Sequence, residues 1–164
     1  MNTRELEQVL DQDEYSYMYA GVFSLDQLPE LQKKKIYILN LDKSHQSGSH
    51  WVGIQTLEAP NYVTYFDSFG SLPAVEIMSK LLKAGKEIWY SDKPVQSPLS
   101  QYCGYHVLMV SLLMARGFSL QEILIHGYQA EDEAYLRNDF VSVLIIRSMT
   151  SLKDRPIINW SQFF

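Results

Sequence analysis

Four segments of the chain are rich in β-branched and aromatic residues, which is the composition typical of strands. Residues 36–41 form an almost continuous apolar run, which predicts a buried strand. Residues 51–57 and 62–66 lie on either side of Ala59-Pro60-Asn61, and this arrangement predicts a hairpin. Residues 87–91 predict a short further strand. We therefore expect a small, mainly antiparallel sheet.

Other segments have the 3.6-residue spacing of helices or the capping residues that begin them. They are a helix from Asn2 to Leu10, a short amphipathic stretch from Leu25 to Leu31, a helix between Pro73 and Gly85, an apolar helix from Cys103 to Gly117, a helix capped by Ser119 and Glu122, and a last helix from Tyr135 to Met149. Residues 11–19 have no clear period. Helices packed on a small sheet predict the α+β class.

The chain has 164 residues, 46% of them hydrophobic, which is enough to bury a core and argues against disorder. No repeat or linker divides it, so we expect one domain over residues 1–164. The most apolar stretch, residues 107–115, is shorter than the about 20 residues that cross a bilayer. Residues 1–10 lack the pattern of a secretory signal, so we expect the protein to remain inside the cell or particle that makes it.

The charge balance disfavours one class of partner. The chain has 14 Lys and Arg against 19 Asp and Glu, a net charge of −5. It therefore has no general positive field to draw it to nucleic acid or an anionic membrane. Lys33 to Lys35 form the one basic run, and a solvated face before a strand explains them more simply. DNA and membranes are thus not expected as partners.

Cys103 is the only cysteine, which excludes an internal disulfide framework and a cysteine-based zinc cluster. It lies between a proline-containing loop and a strongly apolar helix. Backbone N–H groups at a helix N-terminus favour negative charge, so this position favours a thiolate. Gly104 is expected to leave open space beside the thiol. The alternative is that Cys103 is only a small buried apolar residue.

His50 has the best setting of the four histidines for a base that activates this thiol. It ends the loop Ser44–Ser49 and begins a predicted strand, with Trp51 as an aromatic wall beside the ring. Asp67 ends the other strand of the predicted hairpin. Because the start of one antiparallel strand lies beside the end of its partner, we expect His50 and Asp67 to meet. A carboxylate on one ring nitrogen leaves the other free to take the thiol proton.

The other histidines have simpler explanations. His45 is expected to be a solvated loop residue. His106 lies one helical turn after Cys103, but no acidic residue is near it in sequence, which favours a buried neutral ring. His126 precedes Gly127 and is expected at the last turn of its helix.

A thiolate that attacks a carbonyl also needs a donor for the oxyanion that forms. Gln96 lies in the loop between Pro94 and Pro98, seven residues before Cys103, and its amide can converge with the Cys103 backbone N–H. Gln101 is the competing donor. Glutamine is common in surface loops, so neither is a specific signal alone.

Taken together, His50-Trp51, the run Tyr65 to Gly70, Gln96 and Cys103-Gly104 occur in a recognisable order. In this order the chain resembles the adenovirus-type cysteine proteases, or adenains, and is most similar to the maturation proteases of virophages and polinton-like elements. The resemblance extends over about residues 48–113. The separations of 17 residues from His50 to Asp67 and 7 from Gln96 to Cys103 match those of adenains. SUMO-type deconjugating peptidases have similar motifs and share the fold.

The resemblance implies a papain-like fold with the nucleophile at a helix N-terminus. The implied roles are general base for His50, orienting acid for Asp67, nucleophile for Cys103, oxyanion donor for Gln96, and substrate contact for Trp51 and Gly104. It further implies a cysteine endopeptidase that cleaves viral capsid precursors after small residues such as glycine, in the virion and the infected host cell. No cofactor and no metal are implied.

Two alternatives remain open, a deconjugase of ubiquitin-like proteins and a non-catalytic binding module on a protease fold. The second is disfavoured because every chemical position is filled. Adenovirus enzymes are stimulated by a disulfide-linked viral peptide and by DNA. Here such a disulfide would consume Cys103, so no disulfide-linked activating peptide is expected.

Overall fold

The computed structural model describes residues 1–128 and 135–151. In chain order its elements are α1 (Thr3–Gln12), a 3₁₀ turn (Ser16–Met18), β1 (Tyr19–Ser24), a 3₁₀ turn (Leu25–Gln27), β2 (Ile36–Asn40), β3 (Trp51–Gln55), β4 (Tyr62–Phe66), α2 (Val75–Ala84), β5 (Glu87–Tyr90), α3 (Cys103–Ala115), α4 (Leu120–Gly127) and α5 (Tyr135–Ser151).

The five strands form one mixed sheet in the order β1-β2-β3-β4-β5. The central strands β2, β3 and β4 pair antiparallel, and with helices packed on the sheet the α+β class is confirmed. Both edge pairings, β1 with β2 and β4 with β5, are parallel, so the sheet is more mixed than the sequence predicts. A parallel neighbour requires a connection that crosses back over the sheet, and α2 provides it between β4 and β5.

Strand β1 is the element that the sequence pattern misses. The segment Tyr19–Ser24 reads Tyr-Ala-Gly-Val-Phe-Ser, which has no alternation of polar and apolar positions to mark a strand, and in the fold all six residues are half-buried. The register also shifts between Tyr19 and Gly21. The amphipathic stretch expected over residues 25–31 is helical only in the 3₁₀ turn at Leu25–Gln27.

The predicted helix starts are confirmed where capping residues mark them. Asn2 and Glu5 form a capping box before α1, and Ser119 and Glu122 form one before α4. In each box the side chain of one residue binds the backbone N–H of the other, which satisfies donors that have no partner within the helix.

Helix α3 fixes the position of Cys103, its first residue. Every residue of α3 except Tyr105 is buried, because the helix packs against β2 and β3 on one side and against α4 and α5 on others. A Cβ at Gly53 in β3 would lie 3.0 Å from Val107 Cγ2 of α3. Glycine at position 53 therefore allows α3 to approach the sheet closely. Helix α2 contacts β4 and β5, where a second core cluster lies.

Within residues 1–128 and 135–151, no helix has the length and apolar character needed to cross a membrane.

A buried ion pair ties the C-terminal end of α3 to the segment after α1. Arg116 Nη2 lies 2.7 Å from Asp13 Oδ2, with the two side chains 4% and 5% exposed. Arg116→Ala leaves this carboxylate buried without its cation, so we expect the free energy of unfolding in urea to fall by about 3 kcal/mol. Removal of an exposed cation in Arg4→Ala is expected to change it by less than about 0.5 kcal/mol. Equal losses in the two variants would contradict this account.

Candidate active site

His50 and Asp67 meet at one end of the β3–β4 hairpin, as the sequence predicts. His50 directly precedes β3 and Asp67 directly follows β4, and these strands are antiparallel. His50 Nε2 lies 2.7 Å from Asp67 Oδ1. The carboxylate is only 1% exposed, so water competes little for this contact. The same oxygen accepts the backbone N–H of Phe69 at 2.8 Å, which fixes the carboxylate in position.

The aromatic wall beside His50 is Phe69, which sequence reasoning missed. The two rings stack with centroids 4.5 Å apart and an interplanar angle of 20°. Phe69 follows Asp67 by two residues, in the turn that the Asp67 side chain closes, and this short spacing is the signal that could have identified it. Trp51 is the residue expected from the sequence to lie against the His50 ring. Its indole N–H donates to the Met1 carbonyl at 3.1 Å.

The thiol of Cys103 lies at the His50 ring. Cys103 is 9% exposed, and its thiol interacts with the His50 side chain and with the backbone N–H groups of Trp51 and Gly104. Asp67 occupies His50 Nε2, while Nδ1 is buried and has no hydrogen-bond partner among the described residues. Nδ1 is therefore the nitrogen left to exchange a proton with the thiol.

The electrostatics of this group favour a thiolate and an imidazolium. Burial is the largest influence on His50 and lowers its pKa. The hydrogen bond to Asp67, the neighbouring Cys103 thiol and the charges of both groups outweigh it and raise the pKa to about 9. Burial likewise raises the pKa of the Cys103 thiol, but His50 and the backbone N–H groups of Trp51 and Gly104 bring it below its ordinary value. Each charged group thus stabilises the other.

We expect the rate at which iodoacetamide alkylates Cys103 to show this lowered pKa. Since only the thiolate reacts, the rate falls as pH drops through the thiol pKa, and its inflection should lie below the about 8.5 of a free cysteine. Rates normalised to their own plateau, measured by mass spectrometry, remove the effect of restricted access. In His50→Ala the imidazole that lowers the Cys103 pKa is gone, while burial still raises this pKa. The inflection of the alkylation rate should therefore move to higher pH. An inflection at the free-cysteine value in the unaltered chain would exclude the ion pair.

The space beside Gly104 is filled, which corrects the expectation that this glycine leaves open space beside the thiol. A Cβ at position 104 would lie 2.9 Å from Met1 Cβ and 3.3 Å from Trp51 Cδ1. Glycine therefore lets Trp51 and Met1 pack against the first turn of α3.

Gln96 is fully buried in the loop before α3, and both ends of its amide are hydrogen-bonded. Oε1 accepts from Ser68 Oγ at 2.6 Å, and Nε2 donates to the Ser100 carbonyl at 2.8 Å. A second contact from Nε2, to Ser100 Oγ, is longer at 3.3 Å. The amide nitrogen carries two protons, so this arrangement leaves one of them weakly engaged. Gln101, the alternative donor, is exposed.

The three other histidines lie outside this group. His45 is exposed in its loop, and His126 lies in the last turn of α4. His106 is fully buried, as expected, but it does have an acidic partner, Asp139 of α5, 2.7 Å from its Nε2. The separation of 33 positions along the chain puts this pairing beyond any local sequence signal.

No family model matches the sequence, and neither does any curated protein. Solved structures do match. The ASFV pS273R protease is 17% identical over 81% of this chain and 65% of its own, with a TM-score of 0.48. A selenomethionine form of that protease is 22% identical over 63% of this chain and 43% of its own, with a TM-score of 0.42. The SUMO protease Ulp1, with its catalytic cysteine oxidised to a sulfenic acid, is 15% identical over 92% of this chain and 78% of its own, with a TM-score of 0.45.

This chain thus spans less than two thirds of the length of the two ASFV protease structures. The function of the chain is therefore inferred from the chemistry of its own site.

Proposed function

We propose that the protein is a cysteine endopeptidase in which Cys103 is the nucleophile, His50 the general base and acid, and Asp67 the residue that orients His50. The observation that carries the proposal is the buried His50 ring, bonded to Asp67 through Nε2 and facing a thiol of lowered pKa. A nucleophile, a base and an orienting group in contact are the arrangement that acyl transfer requires.

The reaction begins when the Cys103 thiolate attacks the carbonyl carbon of a peptide bond. The carbonyl electron pair moves to oxygen and forms a tetrahedral oxyanion. His50 then gives its Nδ1 proton to the departing amine nitrogen, the C–N bond breaks, and a thioester joins the acyl fragment to Sγ. In the second half a water gives a proton to His50 and attacks the thioester, which releases the acid and restores the thiolate.

The oxyanion is assigned to the Gln96 amide together with the Cys103 backbone N–H at the start of α3. The weakly engaged second proton on Gln96 Nε2 supports this assignment. Such a donor acts on charge that exists only in the transition state, so it lowers the barrier without strengthening substrate binding.

Gln96→Ala is expected to lower kcat by about 10²- to 10³-fold with little change in KM. Steady-state kinetics on a fluorogenic peptide would measure both constants. Gln101→Ala is the matched control and should leave kcat unchanged, because that side chain is exposed. A larger loss in the control would transfer the donor role to Gln101.

The substrate is proposed to be a viral capsid precursor, cut after a small residue such as glycine during maturation in the virion or infected cell. The packing of Trp51 and Met1 against Gly104, the residue next to the nucleophile, supports a small residue at the acyl position. A cavity of about 410 Å³ is lined by Trp51, by Gly48 and by other residues of the loop before His50, and we assign it to the substrate chain. The viral substrate is supported by the resemblance of residues 48–113 to adenains.

No activating partner is part of this proposal. A peptide linked by a disulfide would block the sole cysteine, and a net charge of −5 opposes binding of DNA. The isolated chain in reducing buffer is therefore the enzyme to assay.

The deciding experiment offers this chain three substrates and identifies the products by mass. They are a purified capsid precursor, a peptide library varied around the cut, and a ubiquitin-like protein fused through its C-terminus to a reporter. Because Cys103 is the only cysteine, chain alkylated with iodoacetamide is a matched inactive control. Cuts after glycine in the precursor and the library, absent from the control, are expected.

Each other outcome has a definite meaning. Cleavage of the ubiquitin-like fusion alone would assign a deconjugase. A library profile dominated by bulky or charged residues at the cut would overturn the glycine preference. Cleavage of none of the three would leave the non-catalytic module.

A further inference from the structure

A second histidine–carboxylate pair lies in the core at the first turn of α3, and the proposed reaction does not use it. His106 Nε2 lies 2.7 Å from Asp139 Oδ1 of α5, and His106 Nδ1 lies 2.8 Å from the Tyr128 hydroxyl. All three residues are buried, and His106 is fully so. Polar groups are costly to bury, so a cluster of this kind in a core calls for a role.

His106 is not a second base for the thiol. It follows Cys103 by less than one helical turn, but it has no exposed surface and both ring nitrogens already have partners. Burial and the charge of Asp139 raise the pKa of Tyr128, so its hydroxyl stays protonated and can donate to Nδ1. Nε2–H then donates to one oxygen of Asp139, and the other carboxylate oxygen is left to accept a second hydrogen bond.

The donor of that second hydrogen bond lies in the loop that carries Gln96. Ser100 Oγ donates to Asp139 Oδ2 at 2.8 Å, and the Ser100 carbonyl accepts from Gln96 Nε2 at 2.8 Å. A continuous chain of hydrogen bonds thus runs from Tyr128 through His106, Asp139 and Ser100 to the Gln96 amide.

Helix α5 holds this loop at two points. Besides the contact of Asp139 with Ser100, the side chain of the preceding residue, Asn138, donates to the Val95 carbonyl at 2.9 Å. Val95 directly precedes Gln96, and Ser100 follows it by four residues. Consecutive residues of one helix therefore fix both ends of the loop that presents the amide.

We propose that His106 and Asp139 are positioning residues that hold Ser100, and through its carbonyl the Gln96 amide, in the orientation that receives the oxyanion. This inference rests on the proposed function and adds α5 to the support of the active site. Misplacement of a transition-state donor by about 1 Å can cost on the order of 10²-fold in rate, so a fixed loop has a direct kinetic value.

The test is a double-mutant cycle between Asp139→Asn and Gln96→Ala, with a fluorogenic peptide cleaved after glycine as substrate. Asp139→Asn keeps the shape of the side chain but cannot accept from both His106 and Ser100. We expect kcat to fall by about 10- to 100-fold with KM unchanged. In the Gln96→Ala background the same substitution should have no further effect, because the residue through which it acts is gone.

Asp13→Asn is the matched control. Asp13 is also a buried carboxylate bonded to a tyrosine, Tyr19, but it lies near the opposite end of α3. The Asp13→Asn substitution should lower the free energy of unfolding and leave kcat unchanged. If Asp139→Asn does not fold, Ser100→Ala is the second variant. It removes the link from Asp139 to the loop, together with the two longer 3.3 Å contacts that Ser100 Oγ accepts from Gln96 Nε2 and the Tyr102 backbone N–H, and it keeps the Ser100 carbonyl. The side chain is half-buried, and the same pattern is expected.

If the unaltered chain is active and the kcat losses of Asp139→Asn and Gln96→Ala combine independently in the double variant, the positioning role is overturned and the proposed function stays intact. If the unaltered chain cleaves nothing, the proposed function fails and an NMR measurement decides the inference. The side-chain amide resonances of Gln96 should shift and lose protection from hydrogen exchange in Asp139→Asn. Unchanged resonances would overturn it.

Discussion

Cys103→Ala is expected to abolish peptide-bond cleavage. The thiolate supplies the electron pair that forms the thioester, and a methyl group cannot replace it. Removal of the nucleophile from a comparable catalytic group costs on the order of 10⁶-fold in kcat, which places the residual rate below detection. Product analysis by mass after prolonged incubation, with the unaltered chain as reference, measures this loss.

The fold should survive that substitution, because Cys103 is a small residue at the end of a helix that twelve buried positions hold in place. Urea unfolding of Cys103→Ala checks this, and a folded, inactive variant is the expected result. A variant that still cleaves would show that another group is the nucleophile, and the cysteine-peptidase proposal would fail.

His50→Ala is expected to be nearly as damaging, with a loss on the order of 10⁶-fold in kcat. The substitution removes the imidazolium that lowers the Cys103 pKa, and it removes the acid that protonates the leaving amine. Both effects act on formation of the thioester, so single-turnover kinetics should show the loss in the rate constant of that step.

Asp67→Asn provides the graded comparison for this prediction. It keeps the shape of the side chain that accepts from the Phe69 backbone but removes the negative charge beside His50 Nε2. Since Asp67 orients the base without reacting, we expect a smaller loss, about 10⁴-fold. If Asp67→Asn lowers kcat as much as His50→Ala does, the carboxylate takes part in the reaction itself.

Much of the fold could be predicted because its signals are local. The capping boxes before α1 and α4 each depend on two residues three positions apart. The His50–Asp67 contact followed from one hairpin, since antiparallel strands joined by a short turn place their outer ends together. The position of Cys103 at the first residue of α3 followed from the change from a proline-rich loop to an apolar run.

Other features had no local signal. The sequence of strand β1 does not alternate between polar and apolar residues, and its parallel pairing with β2 depends on the course of the connection between them. The ring stacked on His50 is that of Phe69, because the turn after β4 folds back over the imidazole. The sequence alone did not single out this residue.

The sequence by itself determined which residues are the candidates for chemistry and, through short-range periodicity and capping, most of the elements that hold them. Only the tertiary structure decided what surrounds those residues. Met1 closes the space beside Gly104, and Asp139 supports His106 and Ser100 across the α3–α5 contact. The physical reason is that periodicity and capping act within a few residues, whereas burial and hydrogen bonding in a core depend on segments far apart in sequence.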